Sequence, residues 1–206
     1  MKLILASQSP RRKEILENLG LSFEIVTADV DESSDLVDPC LLVEQLSLRK
    51  GSAVRDRLLR EGRDLSDTLI ISSDTVVSVD QRILGKPRDA ADAFGMLKSL
   101  SGRSHQVVSG ICLLLGDRVS VSHEVTHVTF DALDDEEIRD YVEAAQPYDK
   151  AGAYAIQGLA STFIRGIEGD YFNVVGLPVH EMCRLWREMF KENLLAGVAK
   201  TSSPMI

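Results

Sequence analysis

Basic charge is scarce in this chain. Its 23 lysines and arginines are set against 32 aspartates and glutamates, a formal net charge of −9, and the sequence pI is near 5.0. A general nucleic-acid binder usually carries a basic face, so the balance argues against that class. It leaves open a small anionic ligand, which needs only a local cluster of cations. Cysteine is also rare. Cys40, Cys112 and Cys183 are far apart, odd in number and form no C-x-x-C pair. Neither a structural zinc site nor a disulfide framework is expected; buried free thiols in a reducing cytoplasm are. Long apolar runs are missing too. "MKLILASQSP" is too short in its apolar run for a signal peptide, and no stretch approaches a membrane span. There is no internal repeat and no linker long enough to separate independent domains.

What is present suits a folded α/β protein. With 206 residues, 44% hydrophobic and 27% charged, the chain can build a real core in one domain with two lobes. Leu3 to Ala6 reads as a short buried strand. Pro10 opens a helix capped by Ser9 and closed by Gly20. "FEIVTADV" alternates like a second strand, and an amphipathic helix runs from Pro39 to about Gly62. "TLIISSDTVVSV" is a β-branched strand ending at a hairpin tip, Asp80–Gln81. A helix over Asp89 to Leu100 follows, then a long hairpin turning at Gly116–Asp117. A capped helix spans Asp134 to Ala144. Short strands are expected around "AYAI" and "TFIRGI", and a last helix from near Pro178 to about Phe190. The domain is assigned to residues 1–190, and 191–206 to a loose tail.

"SQSPRR", Ser7 to Arg12, stands at the first strand–loop–helix junction. Free N–H groups and the positive end of a helix dipole meet there. Arg11 and Arg12 add two guanidinium forks suited to phosphate oxygens. The glycines and GK[ST] ending of a Walker loop are absent, and the stretch alone fits a phosphate cradle or an ordinary helix start equally well. "SSDT" puts Asp74 where an apolar strand turns polar, and a carboxylate there must be paired, hydrogen-bonded or metal-bound. "LGKP" places Lys86 in a tight turn, and "SLRKGSA" places Lys50 on the long helix. Each has a bland reading: a structural aspartate, a solvated turn lysine, a surface lysine.

"HEVTH", His123 to His127, matches the H-E-x-x-H zinc-protease pattern, which would use His123, Glu124 and His127. That chemistry needs a helix, where residues four apart share a face closely. Here the flanks are β-branched and alternating. On a strand the histidines stand about 13 Å apart, too far to share one zinc with bonds of about 2 Å. Two histidines on a strand face is the preferred reading.

In order along the chain, "LASQSPRR", "DE" at Asp31–Glu32, "RKGSA", "SSDTVV", "GKP", "SGRSHQVVSG", "DKAGAYAIQG" and "GDYFNVVGLPV" together resemble the Maf family of nucleoside triphosphate pyrophosphatases. The resemblance covers most of the chain up to about Phe190. "DKAGAYAIQG" is similar to the subgroup acting on dTTP and UTP rather than the one acting on 7-methyl-GTP. The family implies a mixed, elongated twisted sheet flanked by helices, with a cleft between two lobes, as in inosine triphosphate pyrophosphatases. It implies hydrolysis between the α- and β-phosphates, removal of noncanonical nucleotides, a role in arresting cell division, and a homodimer. By the same resemblance Asp74 is the catalytic base, and Glu32 shares with it a divalent metal, Mg²⁺ or Mn²⁺. Arg11, Arg12, Lys50 and Lys86 neutralise the triphosphate, with hydrogen bonds from Ser7 and Ser9. Arg11, Thr75 and Gln157 map onto the specificity positions. An amide such as Gln157 offers the donor and acceptor that a pyrimidine edge demands. Asp149 and Lys150 are placed in the pocket wall, and "NVVGLP" is read as structural, packing a strand into the last helix. The rival class is a regulator that binds a triphosphate without cutting it.

Overall fold

The computed structural model describes residues 1–196. Its elements are β1 (Lys2–Leu5), α1 (Pro10–Asn18), β2 (Glu24–Ile25), α2 (Pro39–Arg60), β3 (Thr68–Val79), β4 (Arg82–Leu84), α3 (Ala90–Leu100), β5 (Ser104–Leu115), β6 (Arg118–Phe130), α4 (Asp135–Ala145), β7 (Ile164–Glu168), α5 (Tyr171–Val175) and α6 (Val179–Phe190). Helix starts follow the local chemistry. The Ser9 side chain accepts from Arg12 N ahead of Pro10, and Asp38 accepts from Cys40 N and Leu41 N ahead of Pro39. Asp134 and Glu137 close a capping box on α4.

The strands form one mixed, seven-stranded sheet in the order β2-β1-β3-β5-β6-β7, with β4 also on β3. β3 shows how alternation distributes the core. Leu69 and Ile71 pack with Leu16 of α1 and Trp186 of α6. Farther along the same face, Val77 and Val79 pack with Leu97 of α3 and Ile138 of α4. The opposite face turns Ile70 to Val54 and Leu58 of α2, and Val76 to Val43 and Leu46. One helix therefore covers one face, while two helix groups divide the other into lobes. Fully burying a side chain of this size contributes roughly 1.5–3 kcal/mol.

The edge of β3 opposite β5 changes partner. β1 runs parallel to it over Thr68 to Ile71, and β4 runs antiparallel to it over Val77 to Val79. Between these stretches the edge carries no strand, while β5 continues along the other edge. The gap opens just past the carboxyl end of β1, the kind of switch point where open α/β sheets bind ligands.

Some expectations need correction. Only Glu24–Ile25 of "FEIVTADV" pairs as a strand, because β1 ends at Leu5 and offers no further edge. "AYAI" is not a strand. Residues Ala151–Ala153 form a 3₁₀ turn, with Gly152 at φ 66 and Ala153 at φ 62, left-handed backbone that breaks extension. "NVVGLP" contributes the end of a short helix rather than a strand. Of the cysteines, only Cys112 is fully buried; Cys40 and Cys183 are intermediate. Burial pushes the Cys112 thiol up to about 12. Within the assigned tail, Leu194 is buried against the α1–α6 core; residues 197–206 lie outside the described residues.

Candidate active site

Asp74 sits on β3 inside the unpartnered stretch and is 8% exposed. Its side chain shares a face with Ile70 and Val76, so it looks toward α2. There Lys50 Nζ approaches Asp74 Oδ1 at 2.5 Å and Glu32 Oε1 at 2.7 Å. This ammonium answers the buried carboxylate's need for a partner. Its hydrogen bond holds the Glu32 carboxyl below the usual carboxylate range, against partial burial, with help from the fields of Lys86 and Arg12.

Arg12 enters from the first turn of α1. Its Nε donates to Gly176 O at 2.7 Å, Nη1 to Ser7 Oγ at 3.1 Å and Nη2 to Thr75 Oγ1 at 3.2 Å. Ser73 Oγ also donates to Gly176 O, at 3.1 Å. Burial lowers the Arg12 pKa, opposed by the charge of Asp74. Ser7 accepts from Ser9 N at 3.2 Å, which shapes the loop around the helix start.

These groups, Ser73 apart, line one cleft of about 720 Å³ together with every other predicted site residue: Ser9, Arg11, Lys86 and Gln157. A volume of that order suits a nucleotide-sized ligand. Lys86 lies on an irregular loop after β4 rather than in the expected tight turn, and that loop is tied to the Gly152 segment by Gly152 N to Gly85 O at 3.0 Å. Asp149 and Lys150 pair at 2.5 Å and form part of the wall. Gln157 is exposed at the rim. Val77, Ile83, Val107, Tyr154 and Ile156 supply apolar surface.

Sequence reasoning missed two participants. The Gly176 carbonyl anchors Arg12, although its segment reads as structural and a main-chain oxygen has no residue signature. Ser109 lies 2.7 Å from Thr75; the available signal was a hydroxyl inside an apolar strand. The "HEVTH" stretch lies within β6. His123 pairs with Glu44 at 2.7 Å, and His127 meets Gln106 at 3.3 Å, so the helix a zinc protease requires is not there. Among the described residues no group of three or more His, Cys, Asp or Glu could hold a metal. Glu32 and Asp74 are instead a two-carboxylate set of hard oxygen donors, both aimed at the Lys50 ammonium. Such a set fits Mg²⁺ or Mn²⁺ when phosphate oxygens complete the shell. No helix among the described residues is long and apolar enough to cross a membrane.

Comparison with known proteins identifies the family. The Maf-like protein family model matches residues 2–189. The dTTP/UTP pyrophosphatase of Symbiobacterium thermophilum is 48% identical over 185 residues, covering 89% of this chain and 92% of its own. That of Thermosipho africanus is 46% identical, covering 88% and 90%. A solved nucleoside-triphosphatase, a dITP/XTP pyrophosphatase from Mycobacterium abscessus, aligns with 63% of this chain and 73% of its own at 19% identity and a TM-score of 0.39; a likeness that distant carries no residue correspondence. A family match running from β1 into α6, with close relatives aligned over nearly their whole length, goes well beyond a few shared motifs: the chain belongs to the Maf family.

Proposed function

We propose that this protein hydrolyses dTTP, UTP and modified pyrimidine nucleoside triphosphates between the α- and β-phosphates, giving a monophosphate and pyrophosphate. The substrate class comes from the names of the relatives. The observation that carries the chemistry is Asp74, a nearly buried carboxylate in the β3 gap, facing Lys50 in the cleft that Arg12 also lines. Phosphoanhydride cleavage is mainly a matter of positioning and of stabilising charge on phosphate oxygens. Arg11, Arg12, Lys50 and Lys86 supply that charge, and Ser7 and Ser9 donate hydrogen bonds at the helix start. Asp74 has one oxygen on Lys50, which leaves Oδ2 to orient the attacking water and take its proton. Glu32 and Asp74 would hold the divalent cation, Mg²⁺ or Mn²⁺, which when bound offsets phosphate charge. Gln157 at the rim reads the pyrimidine edge. The setting is nucleotide-pool housekeeping by a cytoplasmic homodimer, linked to arrest of cell division.

The deciding experiment incubates purified protein with canonical and modified nucleoside triphosphates and identifies the products. Monophosphate plus pyrophosphate, with pyrimidines preferred, is expected. Orthophosphate plus diphosphate, or tight binding without turnover, would overturn the reading. Gln157→Ala is expected to change the ratio of kcat/KM values between bases more than it changes the best kcat. A uniform fall across all bases would remove Gln157 from base recognition.

A further inference from the structure

Arg12 hangs on a chain of hydrogen bonds that the proposed chemistry does not use. Its Nη2 donates to Thr75 Oγ1 at 3.2 Å. Thr75 Oγ1 is 2.7 Å from Ser109 Oγ, and Ser109 Oγ is 3.0 Å from the main-chain oxygen of Asn173. A carbonyl only accepts, so the single hydroxyl proton of Ser109 goes to Asn173. Ser109 then has none to give Thr75 and must accept from it. The single proton of Thr75 is committed in turn, and its lone pairs face Arg12. Proton counting thus sets one direction for the whole chain, from Arg12 through Thr75 and Ser109 to Asn173. The 3.4 Å approach of Thr75 Oγ1 to Gly176 O becomes a near contact without a proton.

The far end is fixed. Asn173 and Ser109 are both 0% exposed, so water does not compete for the relay. The Asn173 amide donates to Val107 O at 3.0 Å and to Thr126 Oγ1 at 2.9 Å. Thr126 Oγ1 donates to Asp170 O at 3.0 Å and accepts from Asp170 N at 3.1 Å. Each hydroxyl dipole in the relay presents oxygen toward the guanidinium, and aligned dipoles in a dry interior reinforce one another.

We infer that Ser109 and Asn173 are positioning residues for Arg12. They hold the Thr75 hydroxyl with its lone pairs on the guanidinium. Of the five N–H groups of an arginine, three are then placed, on Gly176, Ser7 and Thr75. One on each terminal nitrogen is left for phosphate oxygens. The inference rests on the reading of the cleft as a triphosphate site. It also gives Thr75 a role through Arg12: its only proton is not available to a nucleobase carbonyl.

Two measurements test this. In the ligand-free protein, hydrogen exchange of the Arg12 Nη2 protons, which face Thr75, followed by NMR, is expected to speed up about tenfold in Ser109→Ala, as befits a weakened buried hydrogen bond. Inorganic pyrophosphate binding is then measured by calorimetry. Ser109→Ala is expected to weaken it about five- to tenfold in the otherwise native protein, and to change it less than about twofold in Arg12→Ala or Thr75→Val backgrounds. Equal weakening in every background would mean that Ser109 is merely structural and would overturn the inference. Thermal midpoints identify loss of fold; Ser109→Cys, similar in volume and a weaker donor, replaces a variant that does not fold. An unchanged Arg12 exchange rate overturns the relay whatever the activity. Faster exchange in a protein that cleaves no nucleotide would sink the pyrophosphatase reading and leave the relay standing.

Discussion

A lysine held between two carboxylates, Glu32 and Asp74, decides how the site behaves residue by residue. Lys50 makes the buried Asp74 tolerable, so Asp74→Asn takes away a charge without opening a cavity. Pyrophosphate release is expected to fall about 10²–10⁴-fold, the usual contribution of a positioned base, with an unchanged thermal midpoint and retained nucleotide binding. Turnover within tenfold of the native rate would move the proton-accepting role elsewhere. Arg11, Arg12 and Asp74 stood out in the sequence because residue type and local context pointed together; Glu32, Lys50 and Lys86 entered only through the family resemblance. Arginines at a helix start and an aspartate inside a β-branched run are local conflicts with no local resolution. The partners that orient Arg12 were not legible. Gly176 acts through its backbone, and Ser109 acts through a proton count that only coordinates reveal.

At the scale of elements, the placement of Lys50 depends on how closely α2 lies on the sheet. A Cβ at Gly110 of β5 would collide with the carbonyl of Val43 in α2. Gly110→Ala must therefore lift the helix that carries Lys50. Unfolding in urea is expected to show a loss of about 1–3 kcal/mol or more, the cost of overpacking, together with reduced turnover. A Cβ at Gly95 of α3 would meet nothing within 4 Å, so Gly95→Ala is expected to stabilise by about 0.5–1 kcal/mol. Equal stabilities for the two variants would contradict the close helix–sheet approach. Long elements were legible from periodicity and caps. The errors fell where partners or backbone signs decide. "FEIVTADV" has the alternation of a strand but outlasts the four residues of β1. "AYAI" has strand-like residues, but left-handed backbone at Gly152 and Ala153 bends it.

Across the whole molecule, stability is coupled to acidity through His105. It is 2% exposed, joined to the Tyr154 hydroxyl by a 2.7 Å hydrogen bond, with Nδ1 lacking a partner among the described residues. Burial lowers its pKa from 6.5 to about 4. Between those values the unfolded chain binds the extra proton and the folded one does not. The stability this group contributes is thus complete above about pH 6.5 and is lost as pH falls toward 4. The loss should amount to about 3 kcal/mol, measurable as urea unfolding at a series of pH values. His105→Phe is expected to be less stable at neutral pH, since Tyr154 loses its partner, yet to show a flatter profile. An equally steep profile would assign the acid sensitivity to other groups. A mixed sheet was foreseeable from the order of elements, and the two lobes came with the family resemblance; the burial of His105 was not foreseeable, because the aromatic cage of Phe130 and Tyr154 is assembled from distant segments.

The bond between Arg12 and Gly176 spans 164 positions of the chain, and this has a bearing on synthesis. A polypeptide emerging from the ribosome displays its anion-seeking arginines long before the carbonyl that disciplines them. A nascent chain that has not yet reached Gly176 thus carries the cations without the arrangement that makes them selective, so competence waits for the distant partner.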